Sequence, residues 1–208
     1  MGINPKAETT KCHCTLWKDK EFKKFEIKIQ GAALPPSPEG LGFRAVDRMK
    51  YRTGIGQDSH RFLPEDSNKP CIIGGLIFEN VPGLMSDSDG DVVFHAICNA
   101  ITSLTGVQIL GGIAAELCEK DGITDSQVYV AKALETLGSQ KIEHLALAIE
   151  GKQPRLNSRI DEMRAKLAEV LKLHVSQVGI SATTSDGLTE FGLGSGIRCF
   201  CVITTKEF

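Results

Sequence analysis

Two short segments carry residues whose types can hold a metal ion. Residues 54–60 read GIGQDSH, in which Asp58 and His60 are two positions apart. Residues 84–96 read LMSDSDGDVVFHA, in which aspartates alternate and His95 follows. Catalytic zinc sites use three protein ligands, often imidazole and carboxylate groups, and leave one position for water or substrate. Asp58, His60 and His95 are therefore candidate ligands of Zn²⁺ or another divalent cation.

Secondary structure decides whether these three side chains can meet. In an extended segment, residues i and i+2 project to the same side, so Asp58 and His60 would lie together at one strand end. His95 falls in a helical pattern, and Asp91, one turn earlier, can either orient the imidazole or cap the helix. A plainer interpretation also fits, in which Asp58 caps a turn and His95 is an ordinary core or surface histidine.

The alternating aspartates also resemble the beginning of a calcium-binding EF-hand loop, but the spacing is wrong. With Asp87 at position 1, such a loop requires Gly at position 6 and Glu at position 12. The chain has Val92 and Cys98 at these positions. The segment is better interpreted as a polar turn in which Asp89 or Asp91 begins the helix.

A second polar segment follows a strand pattern late in the chain. Residues 182–196 read ATTSDGLTEFGLGSG, with hydroxyl groups, an acid and closely spaced glycines. Backbone amides and hydroxyls in such a loop can approach phosphate oxygens. Asp186 can then hold a Mg²⁺ ion that the phosphates share. A glycine-rich connection between strands is the alternative.

Apolar periodicity places these segments on alternating strands and helices. The pattern predicts strands at 52–57, 71–78, 144–151, 178–183 and 196–205, and helices at 91–104, at 126–137 and from a cap at Asn157 or Ser158. This alternation predicts an α/β fold, a single-domain sandwich of a mixed β-sheet and helices.

Composition limits the class of protein. Of the 208 residues, 41% are apolar, which is enough for a buried core, and the formal net charge is -2. That balance gives no electrostatic reason to expect nucleic acid or a membrane as a partner. No apolar run reaches the length of a membrane span.

The first 48 residues differ from the rest. They are rich in basic residues and end in a Pro- and Gly-containing segment at 31–42, so we predict an extension of unknown role over 1–48 and a domain over 49–208. The triplet Cys12, His13 and Cys14 is a weak zinc signal without further ligands. Seven cysteines, an odd number, favour buried thiols in a reducing compartment. A bacterial cytoplasmic location is predicted, and a plastid stroma is less favoured because the extension contains acids.

The ordered motifs together resemble the 2-C-methyl-D-erythritol 2,4-cyclodiphosphate synthase family of the non-mevalonate isoprenoid pathway. The resemblance covers residues 52–205. It rests on G-x-G-x-D-x-H at 54–60, IIGG at 72–75, SDGDVxxHA at 88–96, G-x-x-DS at 122–126, P-x-L at 154–156 and ATTSDGL with its trailing glycines at 182–196. Departures in several loops resemble those of chlamydial members.

The resemblance implies a homotrimer of α/β subunits with active sites between neighbours. It assigns zinc to Asp58, His60 and His95, and Mg²⁺ or Mn²⁺ to Asp186. The implied substrate contacts are Asp58, His60, Asp87, Ser88, Gly151, Lys152, Gln153, Pro154, Arg155, Leu156, Thr183, Thr184 and Ser185. Thr184 and Asp186 are the implied catalytic residues.

The implied reaction is an intramolecular phosphoryl transfer. The 2-phosphate of 4-diphosphocytidyl-2-C-methyl-D-erythritol 2-phosphate attacks the β-phosphorus of the diphosphate, closes a ring and releases CMP. Such chemistry depends mainly on placement and charge compensation. The alternatives are a non-catalytic zinc-containing trimer that binds a phosphorylated metabolite, and a metal-dependent phosphohydrolase.

Several positions depart from the family pattern. Asp87 stands where most members have His before SDGD, and Gly112 replaces an acid of the ribose site. The segment LCEKD leaves Glu119 or Asp121 as a stand-in for another acid. Gly187 replaces a Lys, while Leu193 and Ser195 replace an Arg and a Glu of the central trimer cavity.

Overall fold

The computed structural model describes residues 50–207. The strands are β1 (Lys50–Arg61), β2 (Cys71–Ile73), β3 (Leu76–Phe78), β4 (Lys141–Gly151), β5 (Val178–Thr183) and β6 (Gly196–Glu207). The helices are α1 (Val92–Thr105), α2 (Ala114–Asp121), α3 (Ser126–Glu135), α4 (Ile160–Leu171) and α5 (Glu190–Leu193). The predicted extension, its boundary and the Cys-His-Cys triplet lie outside these residues and stay predictions.

Four strands form one mixed sheet in the order β1-β6-β4-β5. The pairs β1–β6 and β6–β4 are antiparallel, whereas β4–β5 is parallel. Along β6 the buried side chains Cys199, Cys201 and Ile203 alternate with more exposed ones, so the core lies against one face. The strands β2 and β3 form a separate antiparallel hairpin. The predicted α/β fold with a mixed sheet is confirmed.

Two glycines of β1 allow helix α1 to lie directly on the sheet. A Cβ atom on Gly56 would lie 2.1 Å from the Ala96 carbonyl oxygen, and one on Gly54 would lie 2.3 Å from the Ala100 oxygen. Any larger residue would therefore collide with the helix backbone. Because both positions are glycine, α1 can approach β1 closely, and His95 of α1 then lies at the end of β1.

The helix boundaries confirm one capping prediction and correct another. Asp91 caps α1, because its carboxylate accepts hydrogen bonds from the amides of Val93 and Phe94. The cap predicted at Asn157 or Ser158 is wrong. Those residues belong to a 3₁₀ turn that precedes α4, so their side chains are not placed at the first orphan amides of the helix.

Helices α2 and α5 had no counterpart in the sequence prediction. Helix α2 follows an irregular segment, Ile109–Ile113, in which Gly111 adopts φ 70°. This break leaves only two turns of helix, too short for a clear apolar period. Helix α5 has four residues and is capped by Thr189, whose hydroxyl accepts from the Gly192 amide.

The cysteines of the described region agree with the predicted buried thiols. Four of them are buried, namely Cys71, Cys98, Cys199 and Cys201, and Cys118 is partly exposed; none is in a disulfide. Burial raises the pKa of the Cys71 thiol to about 12. Between residues 50 and 207, no single helix is long and apolar enough to span a membrane; α1 and Ile109–Asp121 pass that test only as a pair bent by 91°.

Candidate metal centre and active site

The three predicted zinc ligands meet at the end of β1. Asp58 Oδ2 lies 2.8 Å from His60 Nε2 and 3.0 Å from His95 Nδ1. The two imidazole nitrogens are 3.0 Å apart. One ligand atom from each residue falls within 4.8 Å of the others, and within residues 50–207 this is the only such group of three or more metal-binding side chains. The three residues that the sequence pattern singled out therefore lie together, in a group that could hold a metal ion.

The electrostatics of the triad favour an ionised Asp58. Burial alone would raise the pKa of this carboxyl, but its hydrogen-bonding and charge interactions with the His60 and His95 rings outweigh burial and hold the pKa at about 2. A carboxylate that stays ionised next to two imidazoles is a suitable ligand set for a divalent cation.

A cavity of about 380 Å³ opens over the triad. Besides the triad, its walls include Asp87 and Ser88 of the SDSDG segment. The remaining lining residues are Ser86, Leu110, Gly111, Ala114, Ala115, Cys118, Glu119 and Tyr129. Helix α2 thus forms one wall of the site, which the sequence did not indicate.

The aspartates of the SDSDG segment have separate tasks. Besides capping α1, Asp91 accepts hydrogen bonds from the amides of Gly74 and Gly75, so it ties the hairpin of β2 and β3 to the helix. Asp89 accepts from the Ser126 amide and hydroxyl. Asp87 is exposed and faces the triad cavity. Of the two roles considered for Asp91, helix capping is the one observed.

The sequence did not indicate two side chains that contact the candidate ligand His95. Ser126 Oγ lies 2.9 Å from His95 Nε2, and Ser126 is fully buried. Its neighbour Tyr129 stacks against the His95 ring at 6.5 Å between centroids. The G-x-x-DS motif was the available signal for Ser126, but nothing in that motif indicated contact with a histidine.

A second and larger cavity, about 880 Å³, lies beside the segment after β4. Its lining residues are Gly151, Lys152, Pro154, Arg155, Leu156, Asn157, Ser158, Ala182, Thr183, Thr184 and Gly192. The predicted nucleotide loop and two residues of the predicted diphosphate loop therefore meet in one space. Gln153 instead lines a neighbouring cavity with Pro154 and Arg155. Ser185 and Asp186 do not line the larger cavity.

Comparison with known proteins identifies the family of the chain. The YgbB family is matched over residues 51–206. The chain belongs to the YgbB family.

Two relatives of this YgbB chain carry the same name. It is 56% identical over 159 residues to the 2-C-methyl-D-erythritol 2,4-cyclodiphosphate synthase of Chlamydia muridarum, covering 76% of this chain and 89% of that protein. It is 55% identical over 182 residues to the synthase of the same name from Chlamydia trachomatis serovar L2b, covering 87% and 97%. The resemblance to this synthase family and to its chlamydial members is confirmed.

A solved structure supports the fold of this YgbB chain. IspF of Plasmodium falciparum, in a CDP complex, superposes with a TM-score of 0.64 over 76% of this chain and 96% of that chain. The two sequences are 23% identical, so the likeness shows the fold.

The positions at which this YgbB chain departs from the family pattern lie in different parts of the structure. Glu119 lines the triad cavity whereas Asp121 does not, so Glu119 is the better stand-in for the missing acid. Gly187 has φ +74°, a left-handed conformation in which a lysine would be strained. Leu193 is largely exposed, and the Ser195 hydroxyl donates to Glu190. Gly112 lies in the irregular segment before α2.

Proposed function

We propose that this chain catalyses the cyclisation named by its relatives. The 2-phosphate of 4-diphosphocytidyl-2-C-methyl-D-erythritol 2-phosphate attacks the β-phosphorus, the bond from that phosphorus to the bridging oxygen breaks, and CMP leaves with that oxygen. The observation that carries the proposal is the triad of Asp58, His60 and His95 at the floor of a cavity that Ser88 also lines. It fits relatives that are identical to this chain at more than half of the aligned residues and carry the synthase name.

The residues present fit a zinc ion. Three ligand atoms of the preferred types lie within 4.8 Å of one another, which leaves a coordination position free for substrate. When bound, such an ion polarises a phosphoryl oxygen and offsets its charge. Asp58, His60 and His95 would hold it, and the Ser88 hydroxyl lines the same cavity, where it can donate to a phosphate oxygen.

The second cavity is proposed to hold the cytidine diphosphate part of the substrate. Its wall contains Gly151, Lys152 and residues 154–156, whose backbone amide and carbonyl groups can recognise a base. The hydroxyls of Thr183 and Thr184 line the same space and can donate to the diphosphate. Asp186, exposed on the adjoining turn, is the proposed ligand of Mg²⁺ or Mn²⁺. The CDP complex of the Plasmodium protein supports a nucleotide partner.

We propose a homotrimer because neither cavity is sufficient alone. The triad cavity and the nucleotide cavity share no lining residue within this chain. We propose that a neighbouring subunit brings its nucleotide cavity to the triad cavity, so that one substrate touches both. The sheet face opposite the core offers a surface for this contact, since Tyr51, Ile55 and Phe200 are exposed on it at 58%, 64% and 37%.

Phosphorus NMR with the cytidyl substrate, Zn²⁺ and Mg²⁺ tests the activity. A cyclic diphosphate together with CMP is the expected product pair. Release of inorganic phosphate would instead identify a metal-dependent phosphohydrolase, in which water attacks. Unchanged substrate beside retained zinc would identify the non-catalytic binder.

Light scattering of the full chain tests the assembly. The expected mass is three times the 22.5 kDa of one chain. Ile55→Glu places a charge on the exposed sheet face, so we expect monomers with intact zinc binding and lost turnover. A trimeric and active Ile55→Glu variant would contradict the proposed interface.

A further inference from the structure

The His95 ring is held from both sides. Its Nδ1 atom faces the triad, 3.0 Å from Asp58 Oδ2. Its Nε2 atom faces away from the triad, 2.9 Å from Ser126 Oγ and 3.1 Å from Ser88 Oγ. The ring is 5% exposed, so water has little access to either nitrogen. The partners of Nε2 therefore decide which nitrogen carries the hydrogen.

Asp89 fixes the direction of the Ser126 hydroxyl. Asp89 Oδ1 lies 2.5 Å from Ser126 Oγ, and Asp89 Oδ2 accepts from the Ser126 amide at 3.0 Å. A carboxylate accepts hydrogen bonds and does not donate them. The Ser126 hydroxyl must therefore donate its one hydrogen to Asp89, and its oxygen lone pairs remain for His95. Only a protonated Nε2 can donate to that oxygen.

The other contacts of the ring are compatible with this assignment. Ser88 Oγ also lies 3.1 Å from Ser86 Oγ, so without substrate Ser88 can donate its one hydrogen to Ser86 while it accepts from His95. A phosphate oxygen would replace Ser86 as the acceptor when substrate binds, and the bond from His95 would be unchanged. On the opposite side, Asp58 Oδ2 is 2.8 Å from His60 Nε2 and can take its hydrogen from His60. A hydrogen on His95 Nδ1 is therefore not needed to satisfy Asp58.

Asp91 does not perform this orientation. Its Oδ1 atom accepts from the amides of Val93, Phe94 and Gly74, and its Oδ2 atom accepts from Gly75. The carboxylate is fully occupied at the start of α1. Asp89, two residues earlier, is the acid that reaches His95, and it does so through Ser126.

We propose that Asp89 and Ser126 form a hydrogen-bond relay that holds His95 as the Nε2–H tautomer and turns the Nδ1 lone pair towards the metal triad. Both are positioning residues, because they act through His95 and touch neither metal nor substrate. The inference rests on the proposed metal site and adds the residues that prepare one ligand for it. Partners of this kind change metal affinity by about 10–100-fold when they are removed.

Zinc affinity of the full chain, measured by competition with a chromophoric chelator, tests the relay without any assay of turnover. Ser126→Ala removes the acceptor, and we expect zinc to bind about 10–100-fold more weakly. Asp89→Asn keeps the size of the side chain but can donate to Ser126, which would then donate to Nε2 and favour the wrong tautomer. We therefore expect Asp89→Asn to weaken zinc binding at least as much as Ser126→Ala.

Ser139→Ala is the matched control. Its hydroxyl also donates to a carboxylate, Glu207, at 2.8 Å, but on the exposed surface. Its zinc affinity should equal that of the wild type. Circular dichroism of each metal-free variant shows whether it is folded, and if Asp89→Asn does not fold, the comparison of Ser126→Ala with Ser139→Ala carries the test.

A spectroscopic measurement gives a second readout. In the zinc-loaded wild type with ¹⁵N-labelled histidine, we expect His95 to be bound through Nδ1 and protonated at Nε2. Coordination through Nε2, or wild-type zinc affinity in Ser126→Ala, would overturn the relay while leaving the metal site in place. A wild-type chain that binds no zinc would overturn the metal site and the relay with it.

Discussion

The two candidate cation sites are built on different kinds of backbone. Asp58, His60 and His95 project from a long strand and a helix that are packed together with no space for a Cβ atom between them. Asp186 lies on a turn in which Ser185, Asp186 and Gly187 all have positive φ, at 47°, 49° and 74°. The first site is held by regular structure, whereas the second depends on a strained turn.

This difference indicates how each site would obtain its metal. The triad already has its ligand atoms within 4.8 Å of one another, so metal binding requires little rearrangement. Asp186 belongs to no group of three or more metal-binding side chains within residues 50–207. Mg²⁺ commonly binds through one or two carboxylates plus substrate phosphates. We therefore expect zinc to be resident in the chain and the second cation to arrive with substrate.

Removal of a triad imidazole should have the largest effect. His60→Ala or His95→Ala leaves too few ligands for zinc and loses several kcal/mol of charge stabilisation, so turnover should fall roughly 1,000-fold or more. Metal analysis of the purified chain should find no zinc. His174→Ala, at an exposed histidine outside the site, should retain both properties. Normal zinc content in His95→Ala would remove this residue from the site.

The close contact of α1 and β1 can be tested independently of the ligands. A methyl group on Gly56 would lie 2.1 Å from Ala96 O, so Gly56→Ala must push the helix away and separate His95 from Asp58. We expect a loss of about 3 kcal/mol in the free energy of unfolding, measured in urea, and weaker zinc binding.

Gly179→Ala is the control for this substitution. It also lies in a strand of the main sheet, but its nearest atom to a new Cβ would be 3.8 Å away. Unfolding free energy and zinc affinity should stay close to the wild-type values. Equal behaviour of the two variants would show that the helix is not held by this contact.

Loss of the second carboxylate should separate the two cation sites. Asp186→Ala removes the proposed ligand of Mg²⁺ or Mn²⁺, and turnover should fall about 100-fold, comparable to the loss of one stabilising group in a transition state. Zinc content should be unchanged, because Asp186 is not part of the triad. If Asp186→Ala also lost zinc, the sites would not be independent.

Glu150 contacts the strained turn at Ser185, and its contribution to stability can be tested by changing the pH. Glu150, 6% exposed, accepts hydrogen bonds from Thr189 and Arg198. Hydrogen bonds from Thr189 and then Ser185 hold the pKa of the Glu150 carboxyl below its usual value. A carboxyl whose pKa is lower in the folded state than in the unfolded state stabilises the fold at pH values above the ordinary glutamate pKa. This stabilisation is lost as the pH falls through the folded-state pKa.

Glu150→Gln should therefore cost about 2 kcal/mol in the free energy of unfolding at pH 7. Stability of the wild type should fall more steeply on acidification below about pH 4.5 than that of the variant. Thermal unfolding across pH 3 to 7 measures both slopes. Parallel slopes would mean that Glu150 does not contribute this pH dependence. Zinc affinity should not change, since Glu150 lies outside the triad cavity.

Much of the triad could be predicted because it depends on local periodicity. The two-residue spacing of Asp58 and His60 places both on one side of β1, and the helical pattern that begins after Asp91 places His95 in the first turn of α1. The partners of His95 could not be predicted in this way. Ser126 is distant in the sequence and reaches the ring only through the packing of α3 on α1, which no local pattern encodes.

The nucleotide cavity was predicted less completely for a related reason. Residues 151–156 and 183–184 were assigned by resemblance, and most of them do line one cavity. Gln153 lines a different cavity, which the resemblance did not indicate. The left-handed turn at Ser185 and Asp186 follows from backbone dihedral angles that composition does not determine. Helix α2 was missed because two turns are too few to show a period, although it forms a wall of the triad cavity.

Asp87 provides the smallest and most specific test, because it is a departure that lines the triad cavity. Its carboxylate is exposed there. Burial lowers the pKa of Lys69, and the charges of Asp89 and then of Asp87 oppose this shift. An anion at this rim repels an incoming phosphate, so Asp87→His, which restores the residue of most family members, should lower KM about fivefold, equivalent to about 1 kcal/mol. Zinc content and stability should not change.

Asp87→Asn separates the two contributions of that substitution. If charge alone hinders the phosphate, Asn should lower KM as much as His does. If the imidazole itself binds substrate, only His should lower it. A rise in KM for both variants would show that Asp87 favours substrate binding in this chain, with Lys69 offsetting its charge. The residues around the triad would then have changed together with Asp87.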